Sequence, residues 1–487
     1  MIHKILIVGA GTAGMACAIR AAECGTEVVV IEKDSLIGGT LHLTAGHLSA
    51  GGTKRQAEKG IADSPQQHYD DVMRISNQTA NPDIVHLATQ LAPQTMDWLQ
   101  DLGFPFEPDT PKFIYGHTPY QTARTYWGTT AYSSTEIKWA GSAIFETMLP
   151  RWNKYVAEGK IKLHLNTRMV SIVREGTGWV VKSEKLNSTL NDSTTQQFDT
   201  QNLVLTTGGY ASNPDFFHKM HPDWRLVSTA RHTSTGDGAM AAIEIGAQFH
   251  NADKHTGTLG GLETEPNSHR TDFWKNWARV SNAKDRKPRE IYVNANSRRF
   301  MDENLNDPDP REKAAEAQPG RKFWVVFDEK ALYDNGGGIV PQWSPEEIKT
   351  QAQKETVVWQ ANTVAELAKK AGLDEVILAQ TVARFNGFVQ NQKDEDFGRM
   401  YLQHAIGQPP FYALLTHCFS LVTFGGLATN AELQVLNQDH QPIEGLYAAG
   451  EILGGGATCG HAFVGGMFLT PALSFGRYLG EKLASFT

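Results

Sequence analysis

Residues 4–8 (KILIV) are apolar without a break, the pattern of a strand covered on both faces inside a parallel sheet. The hexapeptide GAGTAG follows at once, and the small residues after it (MACAIRAAECG) predict a helix that stops at Gly25. EVVVIEK then supplies a second buried strand with Glu32 at its C-terminal end. Residues 64–103 place apolar positions at helical spacing and read as peripheral helices. A helix interrupted by Pro150 precedes KIKLHLN, SIVRE and WVVKSE, which alternate as short strands of an antiparallel layer. NLVLTTGG (202–209) is again a buried strand, ending on Gly208 and Gly209, and STGDGAMAAIEIGA turns into a helix with Asp237 near its start.

Between about 252 and 400 the glycines thin out and Trp, Lys and Glu rise. Within that block NTVAELAKKAGLDEVILAQTVARFNGFVQ reads as two amphipathic helices split by a Gly-Leu-Asp turn. From about 405 strands and glycines return as ELQVL and LYAAGE, then a glycine-rich stretch at 454–466 and an apolar helix at 470–484. The succession predicts an α/β protein. A Rossmann-type nucleotide-binding domain is built from residues 1–251 and 404–487, with an α+β capping or substrate domain over 252–403 inserted into it.

The opening segment has a mechanical reading. Gly9, Gly11 and Gly14 stand in the G-x-G-x-x-G spacing directly after a strand and at the start of a helix. Gly9 permits the tight turn, Gly11 lets a diphosphate approach the backbone, and Gly14 lets helix and strand pack closely. The helix start offers free N–H groups and a partial positive charge, and Glu32 can take the ribose hydroxyls.

Composition narrows the function. The net charge of −8 and the absence of a basic face argue against nucleic acid. Four scattered cysteines (Cys17, Cys24, Cys418, Cys459) form no CxxC pair, so no metal, iron–sulfur or haem site is expected. No apolar run is long enough to span a bilayer, and the first strand starts too close to Met1 for a leader, so a cytoplasmic protein is expected.

GLYAAGE (445–451), taken with GAGTAG and its following EK, the TTGG at 206–209, TGDG at 235–238 and the NTVAELA, TVARFN and DFGR runs, resembles the flavoprotein family of fumarate reductases and succinate dehydrogenase. That family also holds urocanate reductases and ketosteroid dehydrogenases, and the resemblance covers nearly the whole chain. It implies a glutathione-reductase-like FAD-binding domain and an oxidoreductase acting on a carbon–carbon bond. The positions it assigns to FAD are Gly9, Gly11, Gly14, Glu32, Lys33, Gly39, Thr40, Ala45, Gly46, Val170, Gly208, Asp237, Gly450, Glu451, Leu469 and Thr470. Thr40 falls where the respiratory enzymes carry their flavin-linked histidine and His42 is off-register, so FAD is expected to be non-covalent.

The expected substrate site departs from the fumarate reductases at three places. The family's clamping arginine is replaced by Phe463, Leu421 and Val422 stand for its histidine pair, and Asp307 occupies the offset of its proton-donating arginine, with Arg311 four residues later. Each lost cationic clamp removes roughly 1.5–3 kcal/mol of charge-assisted hydrogen bonding. The remaining lining (Phe463, Met467, Val422, Phe424) is apolar and resembles the ketosteroid-dehydrogenase-like members, although Ala462 stands at their ketone-binding tyrosine.

Three functions are therefore expected to compete. The first is α,β-dehydrogenation of an apolar, cyclic ketone such as a 3-ketosteroid or cyclohexanone derivative. There Tyr126 or a histidine takes the α-proton, while His461 and the Gly466 N–H hold the enolate oxygen. Both Tyr126 and His461 also admit purely structural readings. Electrons would pass to oxygen, a quinone or a carrier protein. The second is reduction of an α,β-unsaturated carboxylate through the Arg311 region, and the third is a non-catalytic flavin-binding subunit.

Overall fold

In the computed structural model the first apolar run forms a strand over Ile2–Val8 (β1), followed by a helix over Thr12–Glu23 (α1) and a strand over Val28–Ile31 (β2). The structure describes residues 2–113, 118–129, 140–186, 194–272, 287–305, 307–334, 339–340 and 343–485. The chain divides into two units: Met1–His221 with Ala230–His255 and Val422–Thr487, and Pro222–Thr229 with Thr256–Leu421.

The first unit is organised by a parallel sheet. β1 lies between β2 and strand Thr194–Leu205, with Ile7 level with Val30 on one side and Val204 on the other. β2 pairs in parallel with Ile161–His164, and Thr194–Leu205 pairs in parallel with Pro442–Ala448, whose partner Gln434–Leu436 closes the edge. Strands Thr167–Glu175 and Gly178–Lys185 continue the sheet as an antiparallel layer. Ile5, Leu6 and Ile7 have no exposed surface, as the unbroken apolar run requires. Most buried residues of α1 are Ala or Gly, which lets the C-terminal helix Leu469–Ser485 approach closely. A Cβ on Gly476 would stand 2.2 Å from the Ala13 carbonyl oxygen.

The second unit is an antiparallel sheet centred on Phe411–Phe419, which pairs with Thr258–Gly261, Lys322–Asp328 and Val358–Ala361. One face packs Phe323, Val325, Phe327 and Tyr412 into a core, and the other packs Trp324, Val326, Leu367 and Phe385. The sequence ends this insert at residue 403, whereas the unit runs on to Leu421 because Phe411–Phe419 is its central strand. That strand is buried at eight of its nine positions, which resembles a strand of the nucleotide domain, and periodicity alone cannot tell which sheet it joins. Within this unit His404 Nε2 lies 2.8 Å from Asp328 Oδ1.

Candidate active site

The nucleotide grip forms at the end of β1. Gly9 has φ +102°, and a Cβ there would stand 2.5 Å from the Thr206 carbonyl oxygen. A Cβ on Gly14 would stand 1.9 Å from the Gly9 carbonyl oxygen, so the helix can lie against the turn only with glycine at this position. Around Gly11, in contrast, a Cβ would meet nothing within 4 Å, and the same is true of Gly208. Gly11 is also the N-cap of α1 and gives no side-chain cap, so the helix start keeps N–H donors for an anion.

Glu32 ties the turn together: its carboxylate accepts the N–H of Ala10 at 2.7 Å and that of Asp34 at 2.8 Å, and burial pushes its pKa up. Gly38 donates its N–H to the Ala10 carbonyl at 2.8 Å, which lays the Gly39–His42 turn, with Thr40, beside Gly11. Lys33 and Asp237, both expected at the cofactor, pair with each other at 2.9 Å. Gly46 takes φ +72°, while Ala45 is exposed. Val170 sits at the bulge of its strand and is 52% exposed.

The C-terminal segment returns to the same unit. Gly450 has φ +85°, and Glu451 opens a short turn after strand Pro442–Ala448. A cleft here is lined by Gly450, Glu451, Thr458, Met467, Phe468 and Pro471. Glu451 accepts the N–H of Thr423 at 2.9 Å, and burial pushes its carboxyl up to about 7. Thr470 begins the last helix beside Leu469 and accepts the Ser49 N–H at 2.8 Å.

The residues expected to do chemistry separate. Tyr126 has no exposed surface; it lies on the short strand Thr125–Tyr126 opposite Leu48, with its hydroxyl 2.6 Å from Thr53 Oγ1. Burial raises its pKa above the ordinary phenol value, so the hydroxyl stays protonated and a base role conflicts with this setting. Arg124, whose guanidinium serves Asp63 at 3.0 Å and Asp71 at 3.3 Å, pulls the phenol down only weakly against that burial.

His461, by contrast, keeps 45% of its side chain exposed. Its Nε2 stands 3.9 Å from Asp253 Oδ2, and its N–H is bonded to Thr79 Oγ1 at 2.9 Å. Gly466 takes φ +78°, and a Cβ there would stand 2.6 Å from the Ser49 nitrogen. The apolar lining is continuous. Phe463 stacks on Phe468 with centroids 5.5 Å apart, Phe468 meets Phe424 edge-on at 5.6 Å, and Met467 is buried. Val422 is half-buried at the start of the same segment.

In the second unit Asp307 caps helix Pro308–Glu316, accepting the Asp309 N–H at 3.2 Å. One turn in, Arg311 has no exposed surface, and among the described residues none of its three guanidinium nitrogens has a hydrogen-bond partner. Burial pushes Glu316, on the same helix, up to about 7.

Three groups of residues were not visible in the sequence reading. Tyr120 donates its hydroxyl to the Gly465 carbonyl and so holds the turn that carries Gly466. Thr53 engages Tyr126, and Asp253 backs His461. Tyr115, His117 and Tyr132, near Tyr120 in the sequence, lie outside the described residues.

The residues present fit an FAD: open backbone at Gly11 and Gly208, uncapped helix N–H groups, an acid at Glu32 and a second cleft at Glu451. Comparison with known proteins agrees. The family described as "FAD binding domain" matches residues 4–466. The chain is 29% identical to the probable fumarate reductase Ifc3 of Shewanella frigidimarina, over 99% of this chain and 74% of that protein. It is 27% identical to the vinyl phenol reductase of Lactiplantibacillus plantarum, over 100% of this chain and 97% of that protein. Its fold matches the 3-ketosteroid Δ1-dehydrogenase of Sterolibacterium denitrificans over the full length of both chains, with TM-score 0.77 at 22% identity. The chain therefore belongs to the FAD binding domain family and is an FAD-dependent oxidoreductase of the fumarate-reductase-like kind.

Proposed function

We propose that this oxidoreductase moves hydride between its flavin and a carbon–carbon bond α,β to the carbonyl of an apolar, cyclic ketone, such as a 3-ketosteroid or cyclohexanone derivative. The observation that carries this reading is the Phe463–Phe468–Phe424 surface over Met467, in a stretch from 445 to 476 that contains no lysine or arginine. Such a surface rewards burial of a hydrocarbon skeleton at about 25 cal/mol per Å² and gives a carboxylate no partner. The bound FAD supplies the hydride acceptor or donor. His461, backed by Asp253, moves the proton at the α-carbon, and the N–H of Gly466 faces the enolate oxygen. Tyr126 stays protonated and holds the adjoining strand through Thr53. Electrons leave to oxygen, a quinone or a carrier protein, and the protein works in the cytoplasm. Anaerobic mixing with a panel of 3-ketosteroids and cyclic ketones should bleach the flavin absorbance. An unchanged spectrum across the panel would exclude the reading.

Arg311 supports a second reading, reduction of an α,β-unsaturated carboxylate. A buried guanidinium without hydrogen-bond partners is costly, and an anionic substrate would satisfy it. Both curated relatives compared above carry reductase names, which fits that direction. Dithionite-reduced protein that is reoxidised by unsaturated acids but not by enones would establish this alternative.

A further inference from the structure

Glu451 stands where the turn after strand Pro442–Ala448 meets the 208–209 loop and Thr423. Its Oε1 accepts the Thr423 N–H at 2.9 Å and lies 3.3 Å from the Thr423 hydroxyl, and the N–H of Gly209 also donates to the carboxylate. A Cβ on Gly209 would stand 2.1 Å from Oε1, so the backbone closes directly on this group. Every one of these partners is neutral, and among the described residues no cation pairs with Glu451. The side chain nevertheless lines the cleft shared by Gly450, Thr458, Met467 and Phe468. A carboxylate without a counter-ion, set into the wall of a small cavity beside the glycine turn at Gly450, is an unusual place to leave a negative charge.

We propose that Glu451 takes up the second proton of flavin reduction, being ionised while the cofactor is oxidised and protonated once two electrons are on it. A flavin that accepts two electrons and one proton gains a negative charge. Beside that charge, with no cation to offset it, Coulomb repulsion in a low-dielectric cleft selects the carboxylic acid. The step balances: the reductant supplies two electrons, and solvent supplies two protons. One proton goes to the ring and one to Glu451, so the net charge of the cleft is the same before and after.

The other titratable groups nearby do not compete. Tyr210, on the 208–213 loop, is held above the ordinary phenol value by burial, and its hydroxyl is engaged by His221 Nε2 at 2.8 Å. His250 faces the Leu453 turn from strand Phe249–His250, and burial brings it down to about 4. Cys459, on the short helix Gly455–Cys459, is pushed up to about 12. Glu451, at about 7, is the group among these that titrates in the neutral range. Its role rests on FAD binding and is independent of which substrate is used.

Spectroelectrochemical titration of the flavin over a series of pH values tests this. Burial already sets Glu451 at about 7 before reduction, and the charge of the reduced flavin raises it further. The wild-type protein should therefore take two protons per two electrons above neutrality, where the carboxylate is ionised beforehand, and lose the Glu451 proton from that count on the acid side, where it is already protonated. In Glu451→Gln, which keeps an acceptor for Thr423, uptake above neutrality should fall to one proton per two electrons. The same pH dependence in both proteins would overturn the proposal. Reduced-minus-oxidised infrared difference spectra of the wild-type holoprotein give a second reading that does not depend on the variant folding. A carboxylic-acid carbonyl band should appear on reduction, and its absence would also overturn the proposal.

Discussion

Replacing Tyr126 by phenylalanine separates chemistry from packing at the residue the sequence marks most strongly. The substitution removes one hydroxyl, whose 2.6 Å partner is Thr53 Oγ1. Thr53 keeps its other bond, since the same oxygen accepts the Gln56 N–H at 3.1 Å in the cap of helix Lys54–Glu58. No buried polar atom is therefore stranded, and the loss is that of one ordinary hydrogen bond, about 1 kcal/mol. The ring is retained, and with it the edge contact to Phe106 at 6.0 Å. A phenol that donated or accepted the reacting proton would instead be worth roughly 10²–10⁴ in rate. The expected result is thus a urea midpoint lowered by about 1 kcal/mol of stability, full FAD content, and flavin reduction by substrate within a few-fold of wild type. The assays are urea unfolding followed by tryptophan fluorescence and anaerobic stopped-flow at 450 nm, roughly the visible flavin band. A loss of about 100-fold or more in the reductive rate, with stability and FAD content unchanged, would refute the structural reading of Tyr126.

Other perturbations follow from the same geometry. Arg124→Met leaves Asp63 buried without its cation, while Asp71 keeps Arg74 at 2.6 Å, and should cost about 3–5 kcal/mol in urea unfolding, far more than Tyr126→Phe. Gly14→Ala puts a methyl group 1.9 Å from the Gly9 carbonyl oxygen, so the purified protein should be colourless while its far-ultraviolet circular dichroism persists. His68 is held well below its ordinary value by burial, His250 at about 4 and His417 at about 3, so the folded protein resists protons that the unfolded chain takes below about pH 6.5. Stability should therefore be complete above that pH and fall on acidification, by about 1.4 kcal/mol per histidine for each unit. His68→Leu should flatten the acid limb measured by thermal unfolding. His461→Gln should slow proton exchange at the substrate α-carbon, followed by deuterium wash-in, by roughly 10²-fold or more, with FAD content unchanged.

How far the sequence could be read depended on the range of the interactions involved. The nucleotide grip was fully legible because its determinants are local: β1, the glycine turn, α1 and Glu32 lie within one stretch, and each glycine answers a steric demand of its neighbours. The sequence places the end of the inserted unit at 403 because strand Phe411–Phe419 is covered on both faces and so reads like any buried strand. Its assignment depends on pairing with Lys322–Asp328, a contact far away in sequence.

The reactive groups were harder still, because their chemistry is set by partners that no spacing rule connects. Arg124 stands two residues before Tyr126, and its guanidinium is paired with acids 61 and 53 residues earlier in the chain. Asp307, read as a vacated arginine position, is a helix cap, and it is the cap that starts the helix and buries Arg311 one turn later. A residue's type says what chemistry it can do; its burial and its partners decide whether that chemistry is free to be used. In this chain they keep Tyr126 protonated and Arg124 paired, and leave His461 and Asp253 exposed.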